Sequence, residues 1–77
     1  MKQKVIKILK EIRPEFDFNE NVDFIEEGML DSFDIIALVT SLDGEFNVSI
    51  DGMDIRPESF SSIDSIVDLL KKNGVEN

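Results

Sequence analysis

The sequence predicts a small all-α bundle, and three observations carry that expectation. Apolar residues recur at i, i+3, i+4 and i+7 in separate segments, and capping residues stand where those segments begin. No segment alternates with the period of two that a half-buried strand requires. A chain of 77 residues has room for one domain, 1–77. It buries only about 60–65% of the surface its unfolded form exposes, so the core is thin. That core must be made of large side chains: ten Ile, six Leu, six Val and six Phe against a single Ala.

In the first helix Val5, Ile8, Leu9 and Ile12 form one apolar stripe, and the Arg13–Pro14 step ends it. From Glu15 to Leu30 no period survives, although Phe16, Phe18, Val22, Phe24, Ile25, Met29 and Leu30 keep recurring. The expectation is a long loop between helices one and two, pinned to the core, with one helical turn near Val22. Asp31 then reads as an N-cap with Asp34 at N3, a variant of the capping box. Ile35, Leu38, Val39, Leu42 and Phe46 form the second buried stripe. Gly44 costs about 1 kcal/mol in a helix interior, so this helix is expected to fray before Phe46. Asn47 to Gly52 is turn material, and Pro57 suits N1 of a short turn through Phe60. The last helix is expected to open at Ser61 with Asp64 at N3 and to bury Ile63, Ile66, Val67 and Leu70. Lys71 and Lys72 suit its negative end, and Asn73–Gly74 stops it. The result is a small four-helix bundle of three main helices and one short one.

Composition removes many functions. The chain has no Cys and no His, hence no thiolate zinc site and no imidazole base for a Ser–His or Cys–His scheme. It is not expected to be an enzyme by itself. Net charge is −9, and its layout is uneven. Residues 1–13 sum to +4, residues 14–55 hold twelve acids and no base, and residues 56–77 sum to −1. So acidic a middle repels nucleic acid and steers basic partners toward the chain. No apolar run approaches the ~18 residues of a membrane span, and Lys7 and Lys10 interrupt the only stretch with a faint look of a signal peptide. A cytoplasmic, monomeric protein without membrane insertion is expected.

The informative stretch is Glu27-Gly28-Met29-Leu30-Asp31-Ser32-Phe33-Asp34-Ile35-Ile36. It resembles the phosphopantetheine attachment site of the acyl carrier protein family: Gly, one residue, Leu, then Asp-Ser before a hydrophobic residue at a helix start. Length, acidity and the order of elements match that family over nearly the whole chain. The resemblance implies a 4'-phosphopantetheine arm, drawn from coenzyme A and esterified to Ser32, whose thiol holds acyl groups as thioesters. It implies as partners a phosphopantetheinyl transferase, an acyl- or aminoacyl-loading ligase or transferase, and downstream biosynthetic enzymes with basic docking surfaces. In the family the Asp before the serine helps position the transferase's metal, a role that would fall to Asp31.

The residues support this on their own terms. With Asp31 as N-cap, Ser32 is N1, beside unpaired N–H groups and the positive end of the helix dipole, which favours a phosphodiester. No residue here could activate the hydroxyl, so Ser32 is modified rather than catalytic. Asp64-Ser65-Ile66 repeats the triplet without the preceding Gly-x-Leu, and Ser65 is expected merely to sit in a helix start. Phe33 and Ile36, with Ala37, form a second apolar edge ringed by Asp31, Asp34, Glu26 and Glu27, a candidate docking patch. Asp43 and Glu45 lie at the helix's negative end, where acids are unfavourable, and are read as further docking residues. Asp17, Asn19 and Asn21 begin like a calcium loop, but Val22 takes the required Gly position and Gly28 the Glu position, so a calcium loop is rejected and no metal is assigned.

Cargo is the open matter. Ala37, Thr40 and Ser41 leave the middle of helix two uncharged, where fatty-acid carriers usually place acids. The segment Ile50 to Phe60 looks more like aminoacyl, peptidyl or D-alanyl carriers. A free-standing carrier of aminoacyl or specialised acyl cargo is expected, with a fatty-acid carrier as the alternative and an unmodified acidic interaction module as a distant one. If a long acyl chain entered the bundle, it would lie among residues such as Leu42, Phe46, Ile50, Ile55 and Ile66.

Overall fold

In the computed structural model, which describes residues 1–18 and 21–76, helix α1 spans Lys2–Ile12, α2 Ser32–Phe46 and α3 Ile63–Lys72. Two single turns of 3-10 helix, Gly52–Asp54 and Pro57–Phe60, lie between α2 and α3. Asn19 of the rejected calcium pattern lies outside the described residues. Among the described residues there is no strand, and no helix is long and apolar enough to cross a membrane.

α1 buries Val5, Ile8 and Leu9 and ends at Arg13, whose backbone (φ −132°, ψ 79°) has left the helix while its N–H still donates to the Leu9 carbonyl at 2.9 Å. Pro14 forces that exit, because its ring disfavours helical backbone in the residue before it. α2 buries Ile35, Leu38 and Leu42. It does not fray at Gly44. It runs through to Phe46, which packs against the core, and ends at Asn47 in the left-handed conformation (φ 51°, ψ 52°). Packing of the last turn outweighs the weak propensity of one glycine.

α3 starts one residue later than the sequence suggested. Ser62 is the cap and Ser65 is N3, each side chain accepting from the other's backbone N–H at 3.1 Å. Ser61 is occupied elsewhere: its hydroxyl donates to the Glu58 carbonyl at 3.1 Å, and its carbonyl accepts the Phe24 N–H at 2.8 Å. α3 buries Ile66, Val67, Leu69 and Leu70.

The segment between α1 and α2 is core rather than cover. Phe18, Phe24, Met29 and Leu30 are buried, and Phe18 meets Phe24 edge-on with ring centroids 5.0 Å apart. Each buried side chain of this size contributes about 1.5–3 kcal/mol. The turn expected near Val22 follows it directly, over residues 24–28. Asp23 Oδ1 starts it by accepting the N–H groups of Ile25 and Glu26 at 2.9 and 3.1 Å. The Phe24 carbonyl then accepts from Met29 and Leu30, at 2.9 and 3.2 Å. Between these bonds Gly28 takes φ +73°. The chain is thereby turned to deliver Asp31 to the start of α2.

Met53 and Ile55 are exposed on either side of Asp54, which is itself buried. Lys72 Nζ reaches Asp54 Oδ1 at 2.7 Å, and Asn73 Oδ1 accepts the Asp51 N–H at 3.0 Å. The end of α3 thus holds the first 3-10 turn, which carries the turn expected over residues 47–52 on to Asp54. Ile55 does not join the interior; it is 36% exposed beside the buried Asp54.

Candidate modification site at the head of the second helix

The site is built on a reciprocal cap. Asp31 (φ −113°, ψ −174°) is extended, and its Oδ1 accepts the Asp34 N–H at 2.9 Å. Asp34 Oδ2 accepts the Asp31 N–H at 3.0 Å. Two backbone donors of the first turn are satisfied, and the backbone of Ser32 and Phe33 is fixed between them.

Ser32 is exposed at N1, and its hydroxyl makes no hydrogen bond among the described residues. Ser65 differs in each respect. Its Oγ donates to the Ser62 carbonyl at 3.0 Å and accepts the Ser62 N–H at 3.1 Å, so it is committed to the cap of α3. Of two sequence-identical Asp-Ser pairs, only the first leaves its hydroxyl available.

Arg13, the residue that closes α1, reaches this cap from the end of that helix. Its Nε lies 2.8 Å from Asp34 Oδ2, its Nη2 3.4 Å from Asp31 Oδ2 and its Nη1 3.2 Å from Glu15 Oε2. The bonds to Asp34 and Glu15 raise the Arg13 pKa above its ordinary value. Asp31 is held below the ordinary carboxylate range, first by the Asp34 N–H and less by the charge of Arg13. A carboxylate so stabilised is a poor general base.

The predicted docking residues separate into groups. Phe33 and Ile36, one and four positions after Ser32 on α2, are 82% and 63% exposed, so the second apolar edge faces solvent as expected. Glu26 and Glu27 are exposed on the turn that precedes the site. Asp34 is not a free acid, since its side chain is 13% exposed and its Oδ2 accepts from both Arg13 Nε and the Asp31 N–H. Asp43 is engaged too: its Oδ1 accepts the Ile50 N–H at 3.1 Å, which accounts for an acid near the negative end of α2. Glu45 is exposed. Asp43 and Glu45 lie 11 and 13 residues beyond Ser32, about 16–20 Å along the helix. They form no single patch with the head of α2.

The residues fit an esterified phosphate arm. The hydroxyl is exposed and unbonded, and a phosphodiester on it would meet the positive end of a 15-residue helix. Such an arm supplies a terminal thiol on which acyl groups ride as thioesters. Among the described residues no three acids converge as a metal site.

Fold and site together define a small helical carrier, a class whose members are generally non-catalytic and work with a phosphopantetheinyl transferase and loading ligases. Residues 2–70 match the family of the phosphopantetheine attachment site, and the chain belongs to that family. Its prosthetic group is covalently attached 4'-phosphopantetheine. The chain is similar to the D-alanyl carrier protein of Lactococcus lactis subsp. cremoris (strain MG1363), at 29% identity over 100% of both chains. It is 28% identical to the D-alanyl carrier protein of Lactococcus lactis subsp. lactis (strain IL1403), again over 100% of both. The D-alanyl carrier protein of Bacillus velezensis is 28% identical, with 90% of this chain and 91% of the relative covered.

Proposed function

We propose that this chain is a single-domain, monomeric cytoplasmic carrier that holds aminoacyl groups, D-alanyl foremost, as thioesters on an arm esterified to Ser32. The observation that carries the reading is the Ser32 hydroxyl, exposed and unbonded at N1 of α2 within the matched residues. The name shared by relatives that match 90–100% of the chain supports D-alanyl cargo. The packing agrees, because Leu42 and Ile66 are fully buried and Ile55 faces outward, so the interior offers no ready berth for a long acyl chain. A small polar aminoacyl group has little to gain from burial and rides outside.

Phe33 and Ile36 supply the apolar centre of the docking surface, and Asp31, Glu26 and Glu27 supply its charge. Basic surfaces on the transferase, the loading ligase and downstream enzymes are steered to it. Asp31 also helps position the transferase's metal. Intact-mass analysis after incubation with coenzyme A and a broad-specificity transferase tests the reading. One phosphopantetheinyl group should appear on the wild type and on Ser65→Ala, and none on Ser32→Ala. Ser32→Ala should keep its fold, because Asp31 carries the cap. Modification of folded Ser32→Ala would overturn the assignment.

A further inference from the structure

One guanidinium touches three carboxylates at the head of α2, and two of them are the N-cap and N3 of the helix that bears Ser32. Arg13 is the last base before 42 residues that contain none. Its backbone is anchored, because its N–H closes α1 on Leu9 and Pro14 fixes the turn that follows. Asp34 Oδ2 receives both the Arg13 Nε and the Asp31 N–H, so the arginine and the cap share one acceptor. Without the cation, the two carboxylates of one helical turn would repel each other, with only their cap N–H donors and the helix dipole to hold them. A planar fork with five donors can hold several carboxylates at once, whereas an ammonium acts as a point charge.

We propose that Arg13 is a positioning residue for modification of Ser32. It keeps the Asp31–Asp34 box closed, so that the Ser32 turn stays formed. It also withdraws Asp34 from the surface that partners read, leaving Asp31 as the accessible acid beside the serine. This role rests on the reading of Ser32 as the attachment site and adds to it a residue from the end of another helix.

Amide hydrogen exchange and steady-state modification by a basic phosphopantetheinyl transferase, measured on the full chain, test it together. In Arg13→Gln the amides of Asp31 and Asp34 should exchange about tenfold faster, as expected when a charge-assisted bond is lost, with Leu9 unchanged. kcat should fall about tenfold, while KM stays level or drops because the face has become more acidic. Arg13→Lys should recover part of kcat. Asp31→Asn should flatten the salt dependence of kcat/KM, and Asp34→Asn should leave that dependence as in the wild type.

Unchanged exchange at Asp31 and Asp34 in Arg13→Gln would overturn the proposal. So would an unchanged kcat with a raised KM, which would make Arg13 a contact for the transferase. If the wild type is not modified at all, the Ser32 reading fails on its own. The exchange rates then still decide whether Arg13 holds the cap.

Discussion

Replacing Gly28 by L-alanine should destabilise the protein by about 1 kcal/mol, for a reason that lies wholly in the backbone. Gly28 stands four residues before Ser32 with φ +73°, and a Cβ built there would meet no atom within 4 Å. No clash contributes. Left-handed backbone costs an L-residue roughly 1–2 kcal/mol, offset in part by the ~0.4–1 kcal/mol gained from a stiffer unfolded chain. A domain of this size unfolds with an entropy near 0.16 kcal/mol/K, so each kcal/mol moves the melting temperature by about 6 °C. Asparagine tolerates this conformation better and should lose less than alanine. D-Alanine, introduced by chemical synthesis, matches the native φ and should raise the midpoint by about 2–6 °C. Thermal unfolding followed by far-ultraviolet circular dichroism reads all three. Equal melting of the L- and D-alanine proteins would refute the backbone account. A fall in modification rate far beyond the loss of folded chain would place Gly28 against the transferase instead.

Two further outcomes follow from the interior and from the end of α3. The Asp54 pKa lies below its ordinary 3.8, chiefly because Lys72 donates to it. That contribution to stability is fully present above pH 3.8 and is lost as pH falls through the depressed value. Lys72→Met should therefore melt lower than the wild type at pH 7, with the gap closing in acid below pH 3.8; a gap independent of pH would disprove the link. An octanoyl thioester on the arm should raise the melting temperature little over the unloaded holo form. A rise of many degrees, with slowed exchange along α2, would favour fatty-acyl cargo, since each buried methylene is worth about 0.8 kcal/mol.

The three helices and the cap of α2 were legible because their signals are local: a 3.6-residue stripe, an acid pair three residues apart, and a proline after the last turn. The cap of α3 was misplaced by one residue because Ser61 and Ser62 are chemically alike. Their hydrogen bonds separate them: Ser61 bonds Glu58 within its own turn and Phe24 across the fold, while Ser62 pairs with Ser65. The segment after Pro14 gave no period because its apolar residues bury themselves through turns and ring packing, each at its own angle. Arg13 was missed as a site residue for the same kind of reason. It is 18 and 21 positions from Asp31 and Asp34, and no spacing rule connects residues so far apart. Asp34 and Asp43 looked like docking charges in one dimension, yet each has a backbone N–H to satisfy.

The placement of two methionines gives the molecule a gauge of its own opening. Met53 is 82% exposed and Met29 only 6%, held under the turn by its bond to the Phe24 carbonyl. Under mild peroxide the outer thioether is oxidised from the native state, while the inner one waits until the segment ahead of Ser32 lets go. Both sulfurs meet the same oxidant in the same tube, so the ratio of their sulfoxides cancels the reagent and leaves the frequency of that release. Read on the bare, armed and loaded forms in turn, the ratio would show whether taking up a burden tightens or slackens the protein's grip on its own attachment point.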